Sequence, residues 1–172
     1  MRRFWIFIGF GIFLPALSWG QASETAIVKQ AVQLQQESPA DTQIADYFEQ
    51  LKANPNDAQI HVKLGELYFE RTLYELAISS FQQALRLQPH LASAHVGLSR
   101  VFRKKKLPEW ELSEMEAAVA DAPEDLSLRL KLGTLYMEPE HFEYKKAKQQ
   151  FEVLKKAQSP LAAELGAKMG LD

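Results

Sequence analysis

The chain of 172 residues contains no cysteine. That excludes disulfides, thiolate catalysis, iron–sulfur clusters, cysteine-based zinc sites and a lipid attached through an N-terminal cysteine. Histidine is scarce as well. His61, His90, His95 and His141 include no pair with the His-Glu-x-x-His spacing that sets two metal ligands on one helix face. A glycine-rich phosphate loop and a Gly-x-Ser-x-Gly elbow are both missing. Neither sign of charge dominates: the net charge is −2, and it becomes −4 without the first 20 residues, which carry only Arg2 and Arg3. A mildly acidic chain without a dominant basic face is a poor nucleic-acid binder. The expectation is a protein without catalytic residues, cofactor or metal.

What the sequence does have is a period. Pro55, Pro89 and Pro123 stand 34 residues apart. The same step relates Leu64, Leu98 and Leu132, then Gly65, Ser99 and Gly133, then Tyr68, Phe102 and Tyr136. Further on, Ile78 matches Leu112, Phe81 matches Met115, Ala84 matches Ala118 and Leu85 matches Val119. One step back, Ile44, Tyr47 and Leu51 keep the phase, and Ile27, Ala31 and Leu34 fall on the first-helix columns. Within each block the apolar residues recur three and four apart, the spacing of one helix face. Prolines fall where a helix must stop. Leu126, Leu128, Leu130 and Leu132 alternate with polar residues, a strand-like pattern. The 34-residue phase outweighs it and predicts a helix there.

These residues resemble the tetratricopeptide repeat family, whose helix–turn–helix unit repeats every 34 residues as Trp-x-x-Leu-Gly-x-x-Tyr, Ala-x-x-x-Phe, Pro. The best copy is Leu64-Gly65, Tyr68, Ala77, Phe81, Ala84 and Pro89. Another is Leu132-Gly133, Tyr136, Ala147 and Phe151, with two extra residues after Tyr136. The family's leading tryptophan is replaced by His61, His95 and Arg129. The resemblance implies an all-α, right-handed solenoid: a degenerate repeat at 24–57, repeats at 58–91, 92–125 (divergent) and 126–160 (with the insertion), and a capping helix at 161–172. Glycines 65 and 133 are expected to touch Ala77 and Ala147 across their helix pairs. In the divergent unit the same columns hold Ser99 and Glu111, expected to hydrogen-bond to each other unless Pro108 and Trp110 shift the second helix and let Glu111 reach water.

The resemblance also implies a groove lined by the first helices, which grips a protein or peptide. Its columns here are Val62, Val96 and Leu130 as an exposed aliphatic floor, then Lys63 and Lys131 with Gly97 between them. Beyond these come Glu66, Arg100 and Thr134, and then Phe69 and Arg103 with Met137. The groove is expected to be acidic near Glu66 and Glu70 and basic near Arg100, Arg103 and Lys131. The carboxylate clamp of the family's co-chaperones is absent, because Val62, Glu66 and Gly97 occupy columns that need lysine or asparagine.

At the N-terminus, Met1-Arg2-Arg3 precedes an apolar run from Phe4 to Leu14, then Pro15 and the small residues around Gly20 and Ala22. That is the layout of a secretory signal peptide over residues 1–22, implying a periplasmic or lumenal protein. The alternative is an uncleaved anchor, although the run is shorter than the roughly 20 residues of a spanning helix. The expected function is a non-catalytic scaffold supporting assembly of an exported or membrane complex. In layout the chain also resembles the membrane-anchored repeat proteins that help assemble photosystem I. The remaining alternatives are a periplasmic enzyme or metal-handling protein, for which no motif is found, and a self-associating subunit.

Overall fold

The computed structural model describes residues 39–171. The signal-peptide segment and the helix expected around Ile27, Ala31 and Leu34 lie outside the described residues. Among those described there are eight helices and no strand: α1 (Pro39–Ala53), α2 (Ala58–Glu70), α3 (Tyr74–Leu87), α4 (Ala92–Lys104), α5 (Pro108–Asp121), α6 (Leu126–Leu135), α7 (Tyr144–Lys156) and α8 (Leu161–Met169). Three antiparallel pairs, α2/α3, α4/α5 and α6/α7, pack in chain order, each on the next. Helix α1 packs on α2, and α8 packs on both α6 and α7.

The helix starts follow from side chains. Asp57 accepts from the amides of Gln59 and Ile60 at 2.9 and 3.2 Å. Asp125, two repeats on, does the same for Ser127 and Leu128 at 2.9 and 3.2 Å. Each bond satisfies an amide that the first turn would leave unpaired. The bond from the Ser127 hydroxyl leads the causes that hold the Asp125 carboxyl below its ordinary pKa. The middle pair has Leu91 in that column, buried and without a capping bond. Pro108 opens α5, where its missing N–H is not needed.

The helix-to-helix turns are also in register. Leu73 N–H donates to Tyr68, Leu107 N–H to Phe102, and Glu143 N–H to Tyr136, at 2.9, 3.0 and 2.7 Å. The third turn closes the same bond over seven residues instead of five, so the two-residue insertion is absorbed inside it. The alternating leucines form a helix. Leu128, Leu132 and Leu135 point inward four and three apart, while Leu126 and Leu130 pack half-buried beside them.

The apolar core divides within the middle pair. One cluster gathers Val62, Ala77, Phe81, Ala84, Leu98, Val101 and Phe102. The other gathers Met115, Val119, Leu132, Leu135, Leu154, Leu165 and Met169. The closest neighbours of the glycines are large side chains. Phe81, 1 % exposed, is wedged between Gly65 of α2 and Gly97 of α4; a Cβ at either glycine would lie 2.6 or 2.4 Å from its ring. A Cβ at Gly133 would lie 2.5 Å from Leu165. Large side chains of the second and capping helices therefore press on these glycines. Gly97, expected beside the groove, is an internal packing position.

A candidate binding face on the first helices

Helices α2, α4 and α6 present the residues expected to line a groove. Lys63 Nζ sits 5.7 Å from the Tyr47 ring centroid, tying α2 to α1. The Arg100 guanidinium lies 4.5 Å over the Phe69 ring, and its Nη1 is 4.0 Å from Glu66 Oε1. Phe69 is steadied from behind by Tyr74, 6.0 Å away between centroids. Arg100 and Glu66 are both about half exposed, so an incoming carboxylate can reach Arg100 without unfolding anything. Further along, Lys131 is exposed, and Thr134 receives a 3.4 Å hydrogen bond from Lys168 of α8. Lys63, Glu66, Arg100 and Lys131 are exposed polar residues of these helices, with half-buried Phe69 beneath Arg100.

Two parts of the expected groove are different. The aliphatic floor is not open: Val62 is 5 % exposed and belongs to the Phe81 cluster, while Val96 and Leu130 pack half-buried against the second cluster. Helix α2 packs on α1, α3 and α4, so its valine column is enclosed. Arg103 is not free for a partner either. Its Nε donates to Glu111 of α5 and its Nη2 donates to Glu138 at 3.1 Å. Burial works against the Arg103 charge, but the bonds to these two carboxylates outweigh it and hold the guanidinium above its ordinary pKa.

The expected bond between Ser99 and Glu111 is likewise replaced. Both residues are buried, at 2 % and 5 % exposure, and the carboxylate is satisfied by Arg103. Pro108 and Trp110 do not lift Glu111 into water. Arg103 lies eight residues before Glu111, across the turn, a separation that helical spacing rules do not flag. The signal available in the sequence was the carboxylate in a column otherwise filled by Ala77 and Ala147, which demands a cation.

Two of the histidines pair with carboxylates. His95 Nδ1 pairs with Glu114 at 2.6 Å, and its Nε2 lies 3.5 Å from Asp121. His90 Nδ1 is 2.9 Å from the same Asp121. The hydrogen bond with Glu114 raises the His95 pKa against the opposing effect of burial. His61 has no such carboxylate partner, and burial lowers its pKa. Tyr136 is buried and bonds to Glu116; burial first, then that carboxylate, push its phenol above the ordinary value. Among the described residues no group of three or more histidine and acidic side chains could hold a metal ion. None of their helices is long and apolar enough to cross a membrane.

A column of first helices backed by a column of second helices, with a polar aromatic-bearing face on the first, defines a helical-pair solenoid. The family follows directly: the tetratricopeptide repeat model matches residues 45–92 and 62–125, and the chain belongs to that family over this stretch. The fold recurs in solved structures of low sequence identity. A crystal structure of MamA is 22% identical, covering 84% of this chain and 79% of its own with a TM-score of 0.58. A second MamA structure is 20% identical, covering 77% and 92% at 0.54. YrrB, described as a repeat protein with an unusual peptide-binding site, is 18% identical, covering 82% and 89% at 0.53. No curated protein matches the sequence.

Proposed function

We propose that the chain is a non-catalytic scaffold that holds a protein or peptide on the face formed by α2, α4 and α6. The observation that carries this reading is Arg100. It is stacked on Phe69 and only loosely held by Glu66, so it is a preorganised cation facing solvent. A stacked guanidinium keeps its donors aimed outward and loses little freedom on meeting a carboxylate. Exposed Lys63 and Lys131 extend the same chemistry along neighbouring repeats. The peptide-binding site named for YrrB supports the reading by fold alone. In this proposal the chain is exported, through or with its N-terminal run, and supports assembly of an exported or membrane complex.

The test is affinity capture with the exported protein, comparing wild type with Arg100→Glu plus Lys131→Glu. Both positions are exposed, so the helical signal and melting temperature stay close to wild type, while partner recovery falls at least tenfold. Equal recovery from a folded double mutant removes this face from the function. Arg103 is left alone in that experiment because Glu111 depends on it.

A further inference from the structure

A second surface lies at the turns that follow the first helices. The turns joining each pair expose large apolar side chains: Leu73 and Leu76, then Leu107 and Trp110 in the same register, and, outside that register, Phe142 and Tyr144 at the third turn. Leu107 follows Leu73 by 34 residues, and Trp110 follows Leu76 by the same step. Trp110 is 60 % exposed and Phe142 65 %. Leu73 and Leu107 moreover occupy the N-cap positions of α3 and α5, and neither makes a capping bond. Serine, aspartate or asparagine is strongly preferred there, because its side chain satisfies an otherwise unpaired amide. Local helix stability has been forgone twice, at equivalent positions, in favour of exposed leucine. Sites that break a local rule in this way are where function is to be sought.

The form of this edge points to its occupant. The Lys105–Glu75 pair links the first turn to the second, and Arg103–Glu138 links the second to the third, so the turns stand side by side. The exposed apolar residues lie in the turns or the first helical turn after them, with one side of Trp110 against Phe102, 5.7 Å between centroids. The middle turn is basic, with Lys104, Lys105 and Lys106 against Glu109. The first turn carries Glu70, Arg71 and Glu75, and the third carries Glu140, Glu143, Lys145 and Lys146, so neither outer turn is basic. Tryptophan and leucine beside lysines whose stems can lie along apolar surface are the chemistry of a lipid–water interface.

We propose that this edge docks on a membrane bearing anionic headgroups, with Leu107 and Trp110 entering the interface and Lys104 and Lys106 meeting the headgroups. Its residues are different from those named on the face of α2, α4 and α6, which it adjoins where Phe69 packs on Tyr74.

The test reads Trp110 locally. In the full chain with Trp5→Phe and Trp19→Phe, Trp110 is the one tryptophan left. Its emission is followed against vesicles of phosphatidylcholine alone and of phosphatidylcholine with phosphatidylglycerol, each with brominated acyl chains. The expected result is a blue shift and quenching with the anionic vesicles, diminished by salt. Lys104→Glu plus Lys106→Glu should weaken the vesicle concentration dependence on the order of tenfold or more. Leu107→Asp should abolish quenching while retaining the fold, since it supplies the missing cap; its melting temperature is the control. Emission unchanged by anionic vesicles overturns the proposal, even if the chain floats with them. A Trp110 that is shielded by a protein partner but not quenched by brominated lipid assigns the edge to protein contact and also overturns it.

Discussion

At the scale of single residues, the buried carboxylate of Glu111 governs the middle repeat. Its cation, Arg103, is half exposed, so water can replace part of what the pair contributes. Removing the cation nevertheless strands a buried charge, the costly side of a buried pair. Arg103→Met is therefore expected to destabilise by about 2 kcal/mol. Glu111→Gln keeps an acceptor and should cost less than about 1 kcal/mol. Urea denaturation of both variants checks the order; equal costs would mean that the pair is not what satisfies the site. Histidine protonation gives a second prediction. His95 has a raised pKa, so its contribution is complete below the unfolded value near 6.5 and is lost as pH rises through its folded value. His61 has a lowered pKa and acts in the opposite sense, contributing above 6.5 and losing that as pH falls. In the window above pH 6.5, of these two effects the His95 one is expressed. The melting temperature should decline across that window in wild type, and less so in His95→Gln. An unchanged slope in the variant would remove His95 as its cause.

At the scale of elements, the stacking of one pair on the next depends on glycine. A methyl at 97 would collide with the Phe81 ring, which has no empty space to enter. Alanine gains about 1 kcal/mol of helix propensity over glycine, while overpacking costs roughly 1–3 kcal/mol. The clash lies far inside van der Waals contact, so Gly97→Ala should destabilise by about 1–2 kcal/mol net. A more stable alanine variant would show that the ring can yield. The sequence made much of this level legible. The 34-residue phase located α2 to α7 because every helix of a stacked repeat buries the same columns. It even overrode the alternation of Leu126 to Leu132. Burial within those columns was not legible. Val62, Val96 and Leu130 look like a spare apolar stripe, since a residue packed on a neighbouring repeat has the same spacing as one facing water. Gly97 was obscured likewise: its contact, Phe81, lies in the preceding unit and not in its own helix pair.

At the scale of the whole described unit, the two apolar clusters divide within the middle pair, and the C-terminal one is closed by α8. Leu165 is fully buried against α6 and α7, and Met169 is buried with it, while Leu161 packs beside them. An end repeat without a cap exposes its apolar face to water. Leu165→Ala should cost about 2–5 kcal/mol, and deletion of residues 160–172 should cost more and lower solubility. A truncated chain that melts at the wild-type temperature would deny α8 its closing role. Of the candidate binding face, the sequence identified the exposed polar members and misplaced the packed ones. The stacking of Arg100 on Phe69 joins different repeats, so it emerges only once the helices are placed. The central claim is that the first-helix face, and not the outer face of the second helices, holds the partner. Photo-crosslinking from the full-length protein tests it most directly, with benzoylphenylalanine placed at Lys131 in one variant and at exposed Glu152 of α7 in another. The account predicts one discrete partner adduct from position 131, lost on Arg100→Glu, and none from position 152; an adduct from 152 alone would contradict it.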